Sequence, residues 1–376
     1  MGRPCRPVAA AARPATTAGN ETSAMTRQAL LDHLLFAAGL AALSAVLVRL
    51  MIAFPILDHP DHRKAHTRPT PKGGGIGIVG AFVAGMLVLF LTARFARVAD
   101  TQFVGVILAA VAIAIVSLLD DLKDFRFVVK LAAQALAALV AIGSGLVVSR
   151  LAIPWVGVVE LGLLGPVMTV FWIVACTNAV NFMDGLDSLV SGVMLVACAV
   201  LAVVAAQQGA WFLYAACLIL GAGILGFLPF NLPPARIFMG DVGSQFLGFI
   251  LAVLGVAAAK FDTAQLSFLL VPLLLFGLLF DTGFTILRRA WMGERISAPH
   301  RTHLYQMAQR SSLPVPVVAA VHIGFALFHG WLALSFESLP GPVKPLVILP
   351  PLLVQLVWLG FVAWRVRQAG LSWRAG

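Results

Sequence analysis

The chain has 376 residues, 60% of them hydrophobic and only 11% charged, where a soluble domain carries about 25% charged residues. Water could not solvate such a surface, so lipid is the main solvent, and the composition points to an all-α, polytopic integral membrane protein. The formal charge of +10 reads as basic loops held at an anionic leaflet rather than as a nucleic-acid footprint. Of the four cysteines, Cys176, Cys198 and Cys217 lie in apolar runs and Cys5 in the tail, so they suggest neither a disulfide framework nor a metal site.

Residues 1–27 are rich in Ala, Arg and Pro and precede the first apolar run. An apolar core followed by a cleavage site is missing, and the stretch is expected to be a disordered tail or the result of an early start, with Met25 the true one. Apolar runs near the 20 residues that a transmembrane helix needs then follow at about 29–54, 74–93, 101–119, 128–148, 162–180, 189–206, 211–228, 244–259, 266–287, 314–335 and 345–364. About eleven helices are expected, within one transmembrane domain at 28–366 followed by a tail at 367–376. Alternation puts 55–73, 120–127, 181–188, 229–243, 288–313 and the tail on one side. Most of the lysines and arginines fall in this set, whereas the opposite connections hold five: Arg94, Arg97, Arg150, Lys260 and Lys344. By the positive-inside rule the first set is cytoplasmic, the N-terminus outside and the C-terminus inside.

The same set carries the unusual polar residues. Asp120, Asp121 and Asp124 follow the run VAIAIVSLL directly. Adjacent carboxylates at a membrane border persist best beside a divalent cation or a shared proton, although a solvated helix end with Lys123 as neighbour is the plainer alternative. Asn178, Asn181, Asp184 and Asp187 recur every three residues with Gly185 between the aspartates, a spacing that lines one side of a helix end with oxygen donors. Asp241 lies between Gly240 and Gly243 just before an apolar run. It is either an N-cap or a carboxylate offered to a metal beside a phosphate at a helix N-terminus. Asn231 with Pro233 and Pro234 sets a rigid turn upstream. His300 and His303 flank Arg301, in a loop with Arg288, Arg289 and Arg295; an anion-binding cluster fits this better than zinc. The first loop repeats the theme with Arg63, Lys64, His66, Arg68 and Lys72 before Gly73 to Gly75. Asp281, late in an apolar run, is either functional or the partner of a loop arginine. Acidic and basic clusters on one face describe a site for a metal-bound polyphosphate, and hard oxygen donors select Mg²⁺ or Mn²⁺ over zinc.

From about residue 55 to 306 this ordered set resembles the polyprenyl-phosphate N-acetylhexosamine-1-phosphate transferases, which include phospho-N-acetylmuramoyl-pentapeptide transferase and the WecA-type enzymes. The resemblance implies catalytic roles for Asp120, Asp121, Asp184 and His300, with the Asp120–Asp121 pair at the lipid phosphate and the metal. It implies substrate contacts for Lys64, Asn178, Asp187, Asn231, Phe238, Arg301 and His303, the uracil falling near Asn231 and Phe238. Asp241 and Asn181 would hold the Mg²⁺. The implied substrates are a UDP-N-acetylhexosamine and undecaprenyl phosphate, with UMP released at the cytoplasmic face of a bacterial inner membrane. The lipid bilayer is the surrounding partner, nucleic acid is not expected, and a homodimer stays open. Two positions depart from the family pattern. Ser188 stands where the family usually has Gly, and the loop reads His-Arg-Thr-His-Leu-Tyr-Gln rather than three consecutive histidines. The second departure looks more like enzymes that start O-antigen or other surface glycans. A transporter would place its polar groups near the bilayer midplane, and a CDP-alcohol phosphatidyltransferase would read Asp-Gly-x-x-Ala-Arg. Neither pattern is seen here.

Overall fold

The computed structural model describes residues 26–58, 69–92, 101–123, 125–153, 156–259, 266–336, 338–341 and 343–374. Lys64 and nearly all of the expected N-terminal tail lie outside these residues, as does Asp124. The helices, in chain order, are α1 (Arg27–Ala53), α2 (Gly75–Thr92), α3 (Thr101–Lys123), α4 (Phe127–Gly143), α5 (Leu164–Met183), α6 (Leu189–Gln208), α7 (Trp211–Asn231), α8 (Asp241–Ala258), α9 (Leu270–Leu274), α10 (Phe276–Trp291), α11 (Leu304–Arg310), α12 (Val315–Phe336) and α13 (Leu349–Gln368). Among the described residues, nine helices are long and apolar enough to cross a membrane, so the chain is a polytopic helical membrane protein. Two expected runs differ. The one at 128–148 corresponds to the 17-residue α4, and the one at 266–287 breaks at Leu275 into α9 and α10.

Two antiparallel hairpins occupy connections: β1 (Ile56–Asp58) with β2 (Thr70–Lys72), and β3 (Arg150–Ile153) with β4 (Gly157–Glu160). Paired strands satisfy backbone groups that a bare loop at a membrane border would have to leave to water, and three- and four-residue strands leave little periodicity to read in the sequence.

The core is organised around α8, almost every residue of which is buried; it packs against α5, α3 and α2. Small residues permit the closest approaches. A Cβ on Gly75 would lie 2.3 Å from the Gly243 backbone, and one on Gly248 would lie 2.8 Å from Thr177 Cα. Lipid offers helices no hydrophobic reason to associate, so such close backbone packing supplies much of the attraction. The α2–α8 crossing fixes the N-terminus of α8 beside the Gly73–Gly75 turn, where Gly74 and Gly75 donate to the carbonyls of Phe238 and Met239 at 2.9 Å each.

Candidate functional site

At one end of the bundle a cavity of about 390 Å³ is lined by residues from five connections: Asp58 and Lys72, Asp120 and Asp121, Asn181 with Asp184 to Asp187, Asn231 and Phe238 to Asp241, and Arg301 with Gln306 and Gln309. All five connections were grouped on one side by alternation along the chain. Lys130, from the first turn of α4, completes the wall.

Asp241 is the first residue of α8, and its side chain does not cap that helix; Gly240 takes the cap position with φ +74°. One Asp241 oxygen accepts from Asn181 Nδ2 at 3.0 Å, and the other accepts from Lys130 Nζ at 3.0 Å and Gln245 Nε2 at 3.2 Å. Lys130 also pairs with Asp120 at 2.6 Å, so one ammonium joins two carboxylates. The other Asp120 oxygen accepts from the Phe125 amide at 2.7 Å. Asp121 pairs with Lys72 at 3.3 Å and leaves no room beside Gly240, where a Cβ would lie 2.8 Å from its carboxylate. Behind this layer, Gln134 donates to Gln245 at 2.9 Å and accepts from Asn178. Asn178 is absent from the cavity wall and belongs to the buried amide layer that orients Gln245 and, through it, Asp241.

Only Asn178 and Asn181 of the three-residue repeat are helical, because α5 ends at Met183 with Asp184 as C-cap. Gly185 makes the turn that follows, and a Cβ there would sit 2.2 Å from the Tyr305 hydroxyl. That hydroxyl donates to the Phe182 carbonyl at 2.9 Å, joining α11 to the end of α5. Burial first, then the carboxylates of Asp241, Asp121 and Asp187, push the Asp184 carboxyl well above the usual carboxylate range. Ser188, where the resembling family favours glycine, has φ +58°, the left-handed region in which a Cβ is costly.

Asn231 is buried with both ends of its amide engaged. Its oxygen accepts from the Ser188 amide at 3.0 Å and Ser191 Oγ at 2.9 Å, and its nitrogen donates to the Ile237 carbonyl at 3.1 Å. Together with Asp187, which accepts from the Ala235 amide at 2.9 Å, it ties the Gly185 turn to the 231–240 loop. Phe238 lines the cavity, held by its amide on the Pro71 carbonyl at 2.8 Å.

The histidine loop is arranged differently. Among the described residues Arg301, not His300 or His303, reaches the cavity wall. His303 is buried with Nδ1 3.1 Å from Asp281, and Asp281 also accepts from the amides of Leu304 and Tyr305 at 2.9 and 3.0 Å. Asp281 therefore holds the N-terminus of α11 rather than pairing with a loop arginine. His300 stacks on His303 with centroids 4.9 Å apart. Burial, with the nearby His303, Arg289 and Arg288 charges, lowers the His300 pKa to about 3, so its ring is neutral near pH 7.

Six aspartates and Asn181 thus offer hard oxygen atoms to one cavity, with two lysines among them. Among the described residues no three acidic, histidine or cysteine side chains converge as a ready metal cage. Mg²⁺ characteristically takes one or two carboxylates and completes its shell with water and substrate phosphate, which suits this donor set. The sequence reading did not single out Lys130. The available signal was a lone lysine in an otherwise apolar helix, a functional hypothesis by default.

The fold and cavity define a polytopic membrane protein with an acid-lined polar site at one end of its bundle. The description "Glycosyl transferase family 4" matches residues 103–259. The chain is 32% identical to a probable undecaprenyl-phosphate N-acetylglucosaminyl 1-phosphate transferase of Bacillus subtilis, over 75% of this chain and 78% of that protein. It is 30% identical to an undecaprenyl-phosphate alpha-N-acetylglucosaminyl 1-phosphate transferase of Thermotoga maritima, over 74% and 81%. A phospho-N-acetylmuramoyl-pentapeptide-transferase of Lactobacillus gasseri is 30% identical over 57% and 72%. This chain belongs to glycosyl transferase family 4.

Proposed function

We propose that the protein transfers N-acetylhexosamine-1-phosphate, with GlcNAc-1-phosphate the default, from a UDP-sugar to undecaprenyl phosphate at the cytoplasmic face of the inner membrane. The product would start a lipid-linked envelope glycan. The observation that carries this reading is the convergence of Asp120, Asp121, Asp184, Asp187 and Asp241 with Lys72, Lys130 and Arg301 on one cavity. The names of the relatives give the reaction its chemical class, and the bias of basic residues toward these connections supports the cytoplasmic side.

In the proposed reaction an oxygen of the lipid phosphate attacks the sugar-side phosphorus, the bond from that phosphorus to the bridging oxygen breaks, and UMP leaves. Asp241 and Asn181 would hold Mg²⁺, or Mn²⁺ in its place, which when bound supplies neutralisation of charge on the diphosphate. Lys130 bridges Asp241 and Asp120 and offsets their negative charge. Asp120 or Asp121 keeps the incoming lipid phosphate deprotonated. Lys72 and Arg301 orient the anionic groups of donor and acceptor.

Purified protein incubated with undecaprenyl phosphate, Mg²⁺ and a panel of UDP-N-acetylhexosamines is expected to release UMP and form a lipid product with one donor. Asp241→Asn and Asp120→Asn are each expected to lower turnover by about 100-fold or more. Folded protein that releases no UMP with any donor would sink the reading.

A further inference from the structure

The last described residues do something that the proposed reaction does not yet use. α13 ends in a turn in which Gly370 has φ +63°, with the Leu371 amide donating to the Val366 carbonyl at 3.0 Å. This is a glycine-terminated helix stop that reverses the chain. Leu371 and Trp373 consequently fold back and pack on the core. The Trp373 ring stands edge-on to Phe284 at 6.3 Å and lies 5.0 Å from the Arg288 guanidinium carbon.

Arg288 makes no close ion pair among the described residues, and its Nε and Nη1 are buried without hydrogen bonds. Its guanidinium donates from Nη2 to Thr302 Oγ1 at 2.7 Å. The face of an indole adds an attraction that helps to hold such a cation in place. Thr302 is buried, and its amide donates to His300 Nδ1 at 3.3 Å, with its hydroxyl 3.1 Å from the same nitrogen. Arg301, the loop residue that reaches the cavity, is therefore bracketed by His300 and Thr302. Arg365 of α13 makes a second tie, donating to the Ser311 carbonyl at the far end of α11.

We propose that Leu371–Trp373 is a positioning strap: Trp373 fixes Arg288, Arg288 fixes Thr302, and Arg301 is thereby held at the cavity. Trp373 and Arg288 act through the loop and touch no substrate. The strap supplies alignment rather than binding, so its loss should fall on kcat more than on KM. The kinetic part of this inference rests on the transferase reading above.

The test compares Trp373→Ala, Trp373→Phe and Arg288→Lys with wild type, by UMP-release kinetics and by amide hydrogen exchange. Expected for Trp373→Ala are a kcat about tenfold lower, a KM for the UDP-sugar within twofold of wild type, and about tenfold faster exchange confined to residues 299–303. Trp373→Phe, which keeps an aromatic face, should recover at least half of kcat. Arg288→Lys, which loses the planar fork, should behave like Trp373→Ala. A Trp373→Ala enzyme with kcat within twofold of wild type, or with exchange raised throughout the chain, overturns the strap. If wild type itself releases no UMP, the transferase reading fails, and exchange alone decides the strap: faster at 299–303 upholds it, unchanged overturns it.

Discussion

The two walls of the cavity are built on opposite plans. The acidic wall, from the ends of α3, α4, α5 and α8, turns its charges toward the cavity and balances them there: Lys130 bridges Asp120 and Asp241, and Lys72 pairs with Asp121. The histidine-loop wall turns its charges inward. Asp281 is spent on His303 and two amides, Arg289 on Glu294 and nearby carbonyls, and Arg288 on Thr302 and Trp373, while Arg301 reaches the cavity. On the acidic wall the carboxylates that face the cavity are matched there by lysines. A loop must first use its polar side chains to hold itself in shape.

The contrast can be broken most strongly at Lys130. Lys130→Met leaves the Asp120 and Asp241 carboxylates facing each other, and about a 100-fold loss of UMP release is expected, with destabilisation of about 2–3 kcal/mol. Adding Asp120→Asn to Lys130→Met should recover part of that stability but not the activity, because the uncompensated charge goes while the carboxylate stays missing. Urea or thermal unfolding in detergent measures the first effect. Equal stability of the single and double variants would show that Lys130 does not act as the counter-charge.

The junction between the walls is the next point of attack. Gly185→Ala forces a Cβ against the Tyr305 hydroxyl, 2.2 Å away as the chain stands. The Asp184–Asp187 turn and α11 must then separate, and about a tenfold fall in kcat is expected. Tyr305→Phe in the same chain removes the clashing oxygen and should return part of the activity; a pair of purely additive losses would place the effect elsewhere.

The smallest effect is on the loop wall and depends on pH. His300 keeps its neutral form in the folded chain down to about pH 3, whereas an unfolded histidine takes its proton near pH 6.5. Between those values the unfolded state binds the additional proton, so stability present above pH 6.5 is lost as pH falls. Thermal midpoints measured from pH 7.5 to 5 should decline less steeply in His300→Gln than in wild type, and parallel slopes would remove His300 from that account.

How much of this was legible follows from the kind of signal each part leaves. The spans were readable because lipid demands about 20 apolar residues, and the side of the membrane each motif shares followed from counting spans. The acidic motifs were readable because unpaired carboxylates at a membrane border are rare unless used. Lys130 and Asn178 show the limit. The first was not singled out and the second was grouped with the donor set, yet the first bridges Asp120 and Asp241 and the second lies in the amide layer behind them. The hairpins escaped because their strands are three and four residues long.

The sequence by itself determined a polytopic helical chain, the grouping of its polar connections on one side, and the family resemblance. These depend on composition and order along the chain, which solvent and span length translate directly into structure. Only the tertiary structure decided which side chains meet: that Arg301 and not His303 reaches the cavity, that Asp281 anchors α11, and that Trp373 folds back onto Arg288. Those pairings join residues that are far apart in sequence or that a turn points in opposite directions, and side-chain direction is fixed only when the helices pack.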